Sequence, residues 1–267
     1  MEVNLAGKVA VITGGSKGLG LAIASRFVES GADVALLARK QETLEAARDG
    51  LLQHAKGRVH IYPCDVAKAD DIAATYKAVM NTYGRVDIVV NNAGISQTGP
   101  FTSVTDEVWQ ADLDLKLFAA IRLTRLAWPQ MVERRWGRVI NVLNIGAKAP
   151  KAGSAPTSVS RAAGMALTKV LAGEGAPHNV LVNALHVGLI ESDQWARKYA
   201  ESNAESNAKP DANTYDAFLA DMGKSVPMGR VGTAEEFANV ACFLASDLAA
   251  YVTGTSINVD GNLSTVM

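Results

Sequence analysis

The sequence predicts an α/β fold in which a doubly wound parallel sheet is covered by helices on both faces. Two observations carry this. Short, continuously apolar, β-rich runs alternate with segments of helical periodicity from the first residues onward. Unbroken apolar runs suit strands buried on both sides, the condition of a parallel sheet. A third bounds the size: 267 residues, 48% hydrophobic and 20% charged, bury a large core within the range of one α/β domain.

The elements follow in order. Residues 8–13 (KVAVIT) read as the first strand and run into a glycine-rich turn. Residues 18–30 then repeat Leu19, Ala22, Ile23 and Phe27 at helical spacing. A second strand at 33–38 precedes a helix that starts near Gln41. Runs at 58–62, 86–90, 138–143 and 179–185 are further buried strands, each after a helical stretch, and 256–259 is the last. Residues 192–227 break this rhythm: they are polar and irregular, with ESNAESNAKPD at 201–211, before an amphipathic pattern returns around 215–222. Such an insert past a strand end either closes over a site or shields the sheet as a solvated helical pair. Trp195, Tyr199, Tyr215 and Phe218 would supply an apolar underside, which favours a substrate lid. No repeat, low-complexity tract or linker divides the chain, so 1–267 is read as one domain.

Composition excludes several functions. With 26 Lys+Arg against 27 Asp+Glu, the net charge of -1 argues against a broad nucleic-acid footprint. Cys64 and Cys242 are too few for a disulfide framework. No apolar run is long enough to span a bilayer and no signal-peptide pattern opens the chain, so no membrane partner and a cytoplasmic location are expected. His54, His60, His178 and His186 lack metal-ligand spacing, and no Gly-x-Ser-x-Gly elbow is present.

The turn Thr13-Gly14-Gly15-Ser16-Lys17-Gly18-Leu19-Gly20 links a strand to a helix. Glycines there let the backbone approach a pyrophosphate, which the helix N-terminus then receives. Cys64-Asp65-Val66 ends the third strand and Asn91-Asn92-Ala93-Gly94 the fourth, both on the ligand-bearing edge of the sheet. An Asp65 carboxylate can accept from an adenine amino group, and the small Ala93-Gly94 pair lets a flat ring or ribose lie against the backbone. With Pro227-x-Gly229-Arg230-x-Gly232-x-x-Glu235-Glu236, Thr253-Gly254 and Val259-Asp260-Gly261, the chain resembles the short-chain dehydrogenase/reductase family over essentially its whole length. The resemblance implies a Rossmann-type, seven-stranded sheet, a nicotinamide cofactor and a small-molecule substrate. It also implies a homotetramer or homodimer packed through two long helices, 109–135 and 154–174.

An NAD site wants an acidic residue at the end of the second strand, for the ribose hydroxyls. Ala38 stands there and Arg39 follows, so a 2′-phosphate would meet a guanidinium, with Lys17 in reach. NADP(H) is therefore expected, and NAD(H) less so. Gly188 and Ile190 keep the family's Gly-x-Ile turn, and Ser192 stands where Thr commonly binds the nicotinamide carboxamide.

The family's proton-handling set is a Tyr-x-x-x-Lys pair, a Ser thirteen residues earlier and an Asn on the preceding helix. Ser160-Arg161-Ala162-Ala163 sets the register here. It puts Arg161 at the lysine position, Thr157 at the tyrosine and Asn144 at the serine, while Trp109 places Lys116 at the asparagine. A threonine hydroxyl is a far weaker acid than a phenol, and an arginine keeps its proton. Asn144 can donate to an oxyanion without acid/base work. Two replacements suggest themselves. His186, just past the sixth strand, would exchange a proton near neutral pH if it faces the nicotinamide, or else is packed against backbone or another subunit. Lys116 would point into the site with its pKa depressed beside Arg161, or else pairs with Asp112 one turn earlier. The expected function is an NADP(H)-dependent oxidoreductase acting on a carbonyl/alcohol pair through an atypical site. The alternatives are a cofactor-binding sensor or inactive partner subunit, and a lyase, isomerase or hydratase using the same cleft.

Overall fold

The computed structural model describes residues 2–192, 195–196, 199–200 and 212–267. In chain order its elements are β1 (Val9–Thr13), α1 (Gly18–Glu29), β2 (Asp33–Ala38), α2 (Gln41–Leu52), β3 (Val59–Pro63) and α3 (Ala69–Tyr83). Then come β4 (Ile88–Asn91), β5 (Thr98–Gly99), α4 (Asp106–Leu113), α5 (Ala119–Arg134), β6 (Gly137–Asn144) and β7 (Ala155–Pro156). The last are α6 (Thr157–Gly175), β8 (Val180–Val187), α7 (Ala212–Gly223), α8 (Ala234–Ala245) and β9 (Ser256–Val259). Seven strands form one sheet in the order β3-β2-β1-β4-β6-β8-β9, every pair parallel. The order reverses between β1 and β4, the switch point of a doubly wound sheet.

Period-two alternation sends each strand's side chains into two cores. Ala10, Ile12, Val34 and Leu36 face α1 and α8, where Phe27 and Phe237 are fully buried. Val9, Val11, Ala35 and Leu37 face α3 and α5. Burial on both faces is why the strands read as continuous apolar runs. The Pro227–Glu236 motif is the start of α8. Thr233 and Glu236 form a reciprocal capping box, and Arg230 forks onto the Glu236 carboxylate at 2.6 and 2.9 Å. That pairing, with the Thr233 backbone N–H, holds the Glu236 carboxyl at about 2.

Two expected helices change shape. The one read at 109–135 is α4 and α5 joined by a π-helical turn, Asp114–Phe118, which carries Lys116. The one read from 154 starts at Thr157, because Ala155–Pro156 pair antiparallel with Thr98–Gly99. Much of the 192–227 insert lies outside the described residues. Within it, Tyr199 packs against Tyr215 and Phe218 at ring separations of 5.3 and 5.4 Å.

Replacing Phe237 by Ala removes a fully buried ring from between α8 and the sheet. It should cost about 3–5 kcal/mol, read as a lower urea midpoint at an unchanged slope.

Candidate functional site

The C-terminal ends of β1, β4, β6 and β8 open onto a cleft of about 460 Å³. Its floor at the switch point is set by Thr13, whose hydroxyl accepts from the backbone N–H groups of Asn92 and Ala93 at 3.0 Å each and donates to Val90 O at 3.3 Å. The Asn92 amide returns to the carbonyls of Thr13 (3.0 Å) and Gly14 (3.2 Å). Gly20 packs on this turn so closely that a Cβ there would lie 2.2 Å from the Gly14 carbonyl. Lys17 precedes α1 with no side-chain cap, so the first N–H groups of the helix face the cleft's anion-binding end.

Of the residues singled out in the sequence, Gly14, Lys17, Gly18, Leu19, Ala93, Gly94, Asn144, Thr157, Arg161, Gly188, Ile190 and Ser192 all line this cleft, together with Trp195 from the insert. Ser16 and Gly20 belong to the turn without lining the cavity. Arg39 is exposed just past β2, whose end is tied to the turn by Gly15 N–H donating to Leu37 O at 3.2 Å. Asp65 sits beside it past β3, its carboxylate accepting from Ala67 N–H at 3.2 Å. Val66 turns its side chain into the core, leaving its backbone at the edge.

Two expectations are corrected. Asn91 does not face the cleft. As the last residue of β4 it is buried, and its amide donates to Thr124 Oγ1 and Asn141 Oδ1 at 3.1 and 2.8 Å. Asn92 takes the cleft side instead. His186 is fully buried on β8, outside the cleft, with one ring nitrogen on Asn144 O at 2.7 Å and the other on Ser256 Oγ. Burial pushes its pKa down despite the Asn144 carbonyl, so the ring is a neutral packed group.

At the far end, Arg161 lies across Gly94, where a Cβ would stand 2.3 Å from a guanidinium nitrogen. Its Nη1 donates to Val142 O at 2.8 Å, and among the described residues it has no carboxylate partner. Burial lowers its pKa to about 10, against the pull of Asp112, and it stays charged. Asn144 lines the same wall, its Oδ1 buried without a partner among the described residues.

Behind the wall, Lys116 and Asp112 are both buried and paired. Lys116 Nζ also donates to Thr157 Oγ1 at 2.8 Å, and the second Asp112 oxygen accepts from Ser160 Oγ at 2.6 Å. Of the two sequence readings of Lys116, the pairing with Asp112 holds, and the one that pointed it into the site is corrected: its Nζ stops behind the wall on the Thr157 hydroxyl and does not line the cleft. Burial lowers its pKa to about 8, with Asp112 opposing and Arg161 adding to the shift. Thr13, Asn92, Asp112 and Ser160 were not among the candidate site residues. Each lay in a motif or spacing the sequence showed (the glycine-rich turn, the Asn-Asn repeat, the Asp112–Lys116 spacing and the Ser160–Ala163 register) without its bonds being readable there.

A family model, the short chain dehydrogenases, matches residues 8–203. The chain is 31% identical to a 3-oxoacyl-[acyl-carrier-protein] reductase of Aquifex aeolicus, over 98% of this chain and 100% of that one. It is similar to the crystal structure of L-sorbose reductase from Gluconobacter frateurii with NADPH and L-sorbose (TM-score 0.93, 34% identity, 100% of both chains). It is also similar to an NADPH-bound short-chain oxidoreductase from Pseudomonas aeruginosa PAO1, described as containing an atypical catalytic center. There the TM-score is 0.87 and the identity 37%, over 99% of this chain and 100% of that one.

Lys116 releases its proton near pH 8 in the fold and near 10.5 when exposed. Between these values the unfolded chain holds more protons, so this group's contribution to stability rises with pH across that window. The Lys116→Met variant should lose that rise, checked by urea melts of both proteins at pH 7.5 and 10.

Proposed function

The chain belongs to the short-chain dehydrogenase family, and from that premise we propose that it is an NADP(H)-dependent oxidoreductase acting on a carbonyl/alcohol pair with an altered proton-handling set. The observation that carries the cofactor choice is Arg39, exposed past β2 beside the glycine turn, where a carboxylate would otherwise repel a 2′-phosphate. The NADPH-bound neighbours support it.

The residues present fit that cofactor. Arg39 and Lys17 would hold the 2′-phosphate, Asp65 the adenine edge with the Val66 backbone beside it, and the uncapped start of α1 the pyrophosphate. Ala93 and Gly94 present small residues to the cleft, and the missing Gly94 side chain lets Arg161 lie against the backbone there. Arg161 would bind the nicotinamide ribose, and Gly188, Ile190 and Ser192 the carboxamide end. The cofactor supplies hydride chemistry when bound. This chain's own part is to orient and polarise: Arg161 places a permanent cation at the reacting end, and Asn144 offers an amide donor to the substrate oxygen. Thr157, Arg161, Asn144 and Lys116 stand in for the family's Tyr, Lys, Ser and Asn, so proton delivery follows a different route.

A second reading, cofactor binding without hydride transfer, is favoured by one observation. The single Thr157 hydroxyl proton is already committed to Gln97 O at 2.6 Å. The apolar side chains left exposed on α6 and on the stretch from the π-turn through α5 (Val159, Val170, Phe118 and Leu126) fit an assembly of two or four copies packed through these helices. The two buried free thiols suit a reducing compartment such as the cytoplasm.

Calorimetric titration should show NADPH bound more tightly than NADH. Arg39→Ala should weaken NADPH alone by about 1.5–3 kcal/mol, the value of a hydrogen bond to a charged group. Equal losses for both cofactors would remove the 2′-phosphate assignment. Light scattering at micromolar concentration should report a dimer or tetramer, and Val170→Asp should shift it towards monomer.

A further inference from the structure

We infer that Lys116 and Thr157 are positioning residues: together they latch the 95–99 segment, one wall of the cleft, onto helix α6. The inference deepens the oxidoreductase reading, on which only its kinetic arm rests.

Thr157 Oγ1 accepts from the Gln97 backbone N–H at 2.9 Å and from Lys116 Nζ at 2.8 Å, and it donates to Gln97 O at 2.6 Å. A hydroxyl has one proton and two lone pairs, so every capacity of this oxygen is in use. A saturated hydroxyl that grips both the donor and the acceptor of one peptide unit is built to hold backbone in place. The segment so held continues into Thr98–Gly99, which pair with Ala155–Pro156 just before α6. Its preceding residues, Ile95 and Ser96, line the cleft. Side-chain and ladder bonds thus fasten the wall along adjoining residues.

The charged pair behind Thr157 serves the same end. Asp112 takes Lys116 on one oxygen and the single Ser160 Oγ proton on the other at 2.6 Å, with Thr157 O 3.1 Å from the same Ser160 oxygen. Lys116 and Asp112 therefore brace the first turn of α6 at two points, and the brace reaches it from the π-turn. The groups facing Lys116 are Asp112 on α4 and Thr157, Ser160 and Arg161 on α6. An apolar pair here would leave the Gln97 N–H and C=O without partners in a half-buried place, the costly case for backbone.

The test is amide exchange on full-length protein followed by NMR, with Val11 in β1 as the control for an intact fold. Thr157→Val should speed exchange at Gln97 at least about tenfold while Val11 is unchanged, and Thr157→Ser, which keeps the hydroxyl, should restore protection. Lys116→Met should speed it less, because the two Gln97 bonds survive. If Thr157→Val does not fold, Thr157→Ala carries the same comparison. With NADPH and a reducible carbonyl, Thr157→Val should raise KM at least about tenfold with kcat within about threefold. Unchanged exchange at Gln97 in the valine or alanine variant overturns the latch. So does a collapse of kcat with a lost pH limb and no change in exchange, the pattern of a proton-transfer group. If no variant and no wild-type protein reduces any carbonyl, the oxidoreductase reading fails, and the exchange arm decides the latch alone.

Discussion

The Thr13 hydroxyl joins the two halves of the sheet where their winding reverses. Strands β1 and β4 run side by side, and beyond their last paired residues the chains diverge, one into α1 and the other towards α4. Divergence opens the crevice in which such folds place ligands, and it also strips backbone groups of ladder partners. Thr13 and Asn92 meet that need with four bonds across the gap. The glycine turn is thereby held at fixed distance from the Ala93-Gly94 backbone, and Gly20 brings α1 down onto it. Every cofactor contact proposed at the glycine turn depends on that spacing.

The cleft has two unlike ends. At the turn, positive potential comes from an uncapped helix start and from Lys17 and Arg39, near or on the exposed edge, where water screens them. At the other end, Lys116 is buried and Arg161 half-buried at the cleft wall. Lys116 has a carboxylate at hand, whereas Arg161 has a carbonyl and open space. A buried cation lacking an anion is costly unless a ligand or a group of developing negative charge faces it. Under the proposed oxidoreductase reading, that puts the electrostatic pull where a carbonyl oxygen would gain charge.

The sheet was legible because both faces of each strand are buried, which leaves apolar runs with no alternation to misread. Boundaries moved by one or two residues, as the last ladder bonds do. Side-chain direction at strand ends was less legible. Asn91 is the final residue of β4 and still obeys the pleat, so its amide goes into the interior, while Asn92 has left the strand and turns to the cleft. Two adjacent asparagines look alike until the end of the strand is known. His186 failed for a related reason, since β8 continues to Val187 and the pleat sends the ring between Asn144 O and Ser256. The π-turn was missed because the residues on either side of it read as one continuous helix. The Thr157–Gln97 bonds were beyond reach, as one partner is backbone 60 positions away.

Lys116 and Arg161 are best understood as a pair. With a carboxylate against it, Lys116 still falls to about 8, because burial outweighs the ion pair and Arg161 adds its own repulsion. A lysine at position 161 would meet the same burial and the same neighbouring cation, with no carboxylate in contact. It would lose its charge more readily than Lys116 does. Guanidinium starts from a higher intrinsic pKa and is more weakly hydrated, so it retains the proton, at about 10, where an ammonium would not. With a second cation at position 116, arginine keeps position 161 positive over a wider pH range than lysine would. The two cations are thus coupled through one electrostatic constraint. Arg161→Lys alone would put a more readily neutralised cation at that end of the cleft.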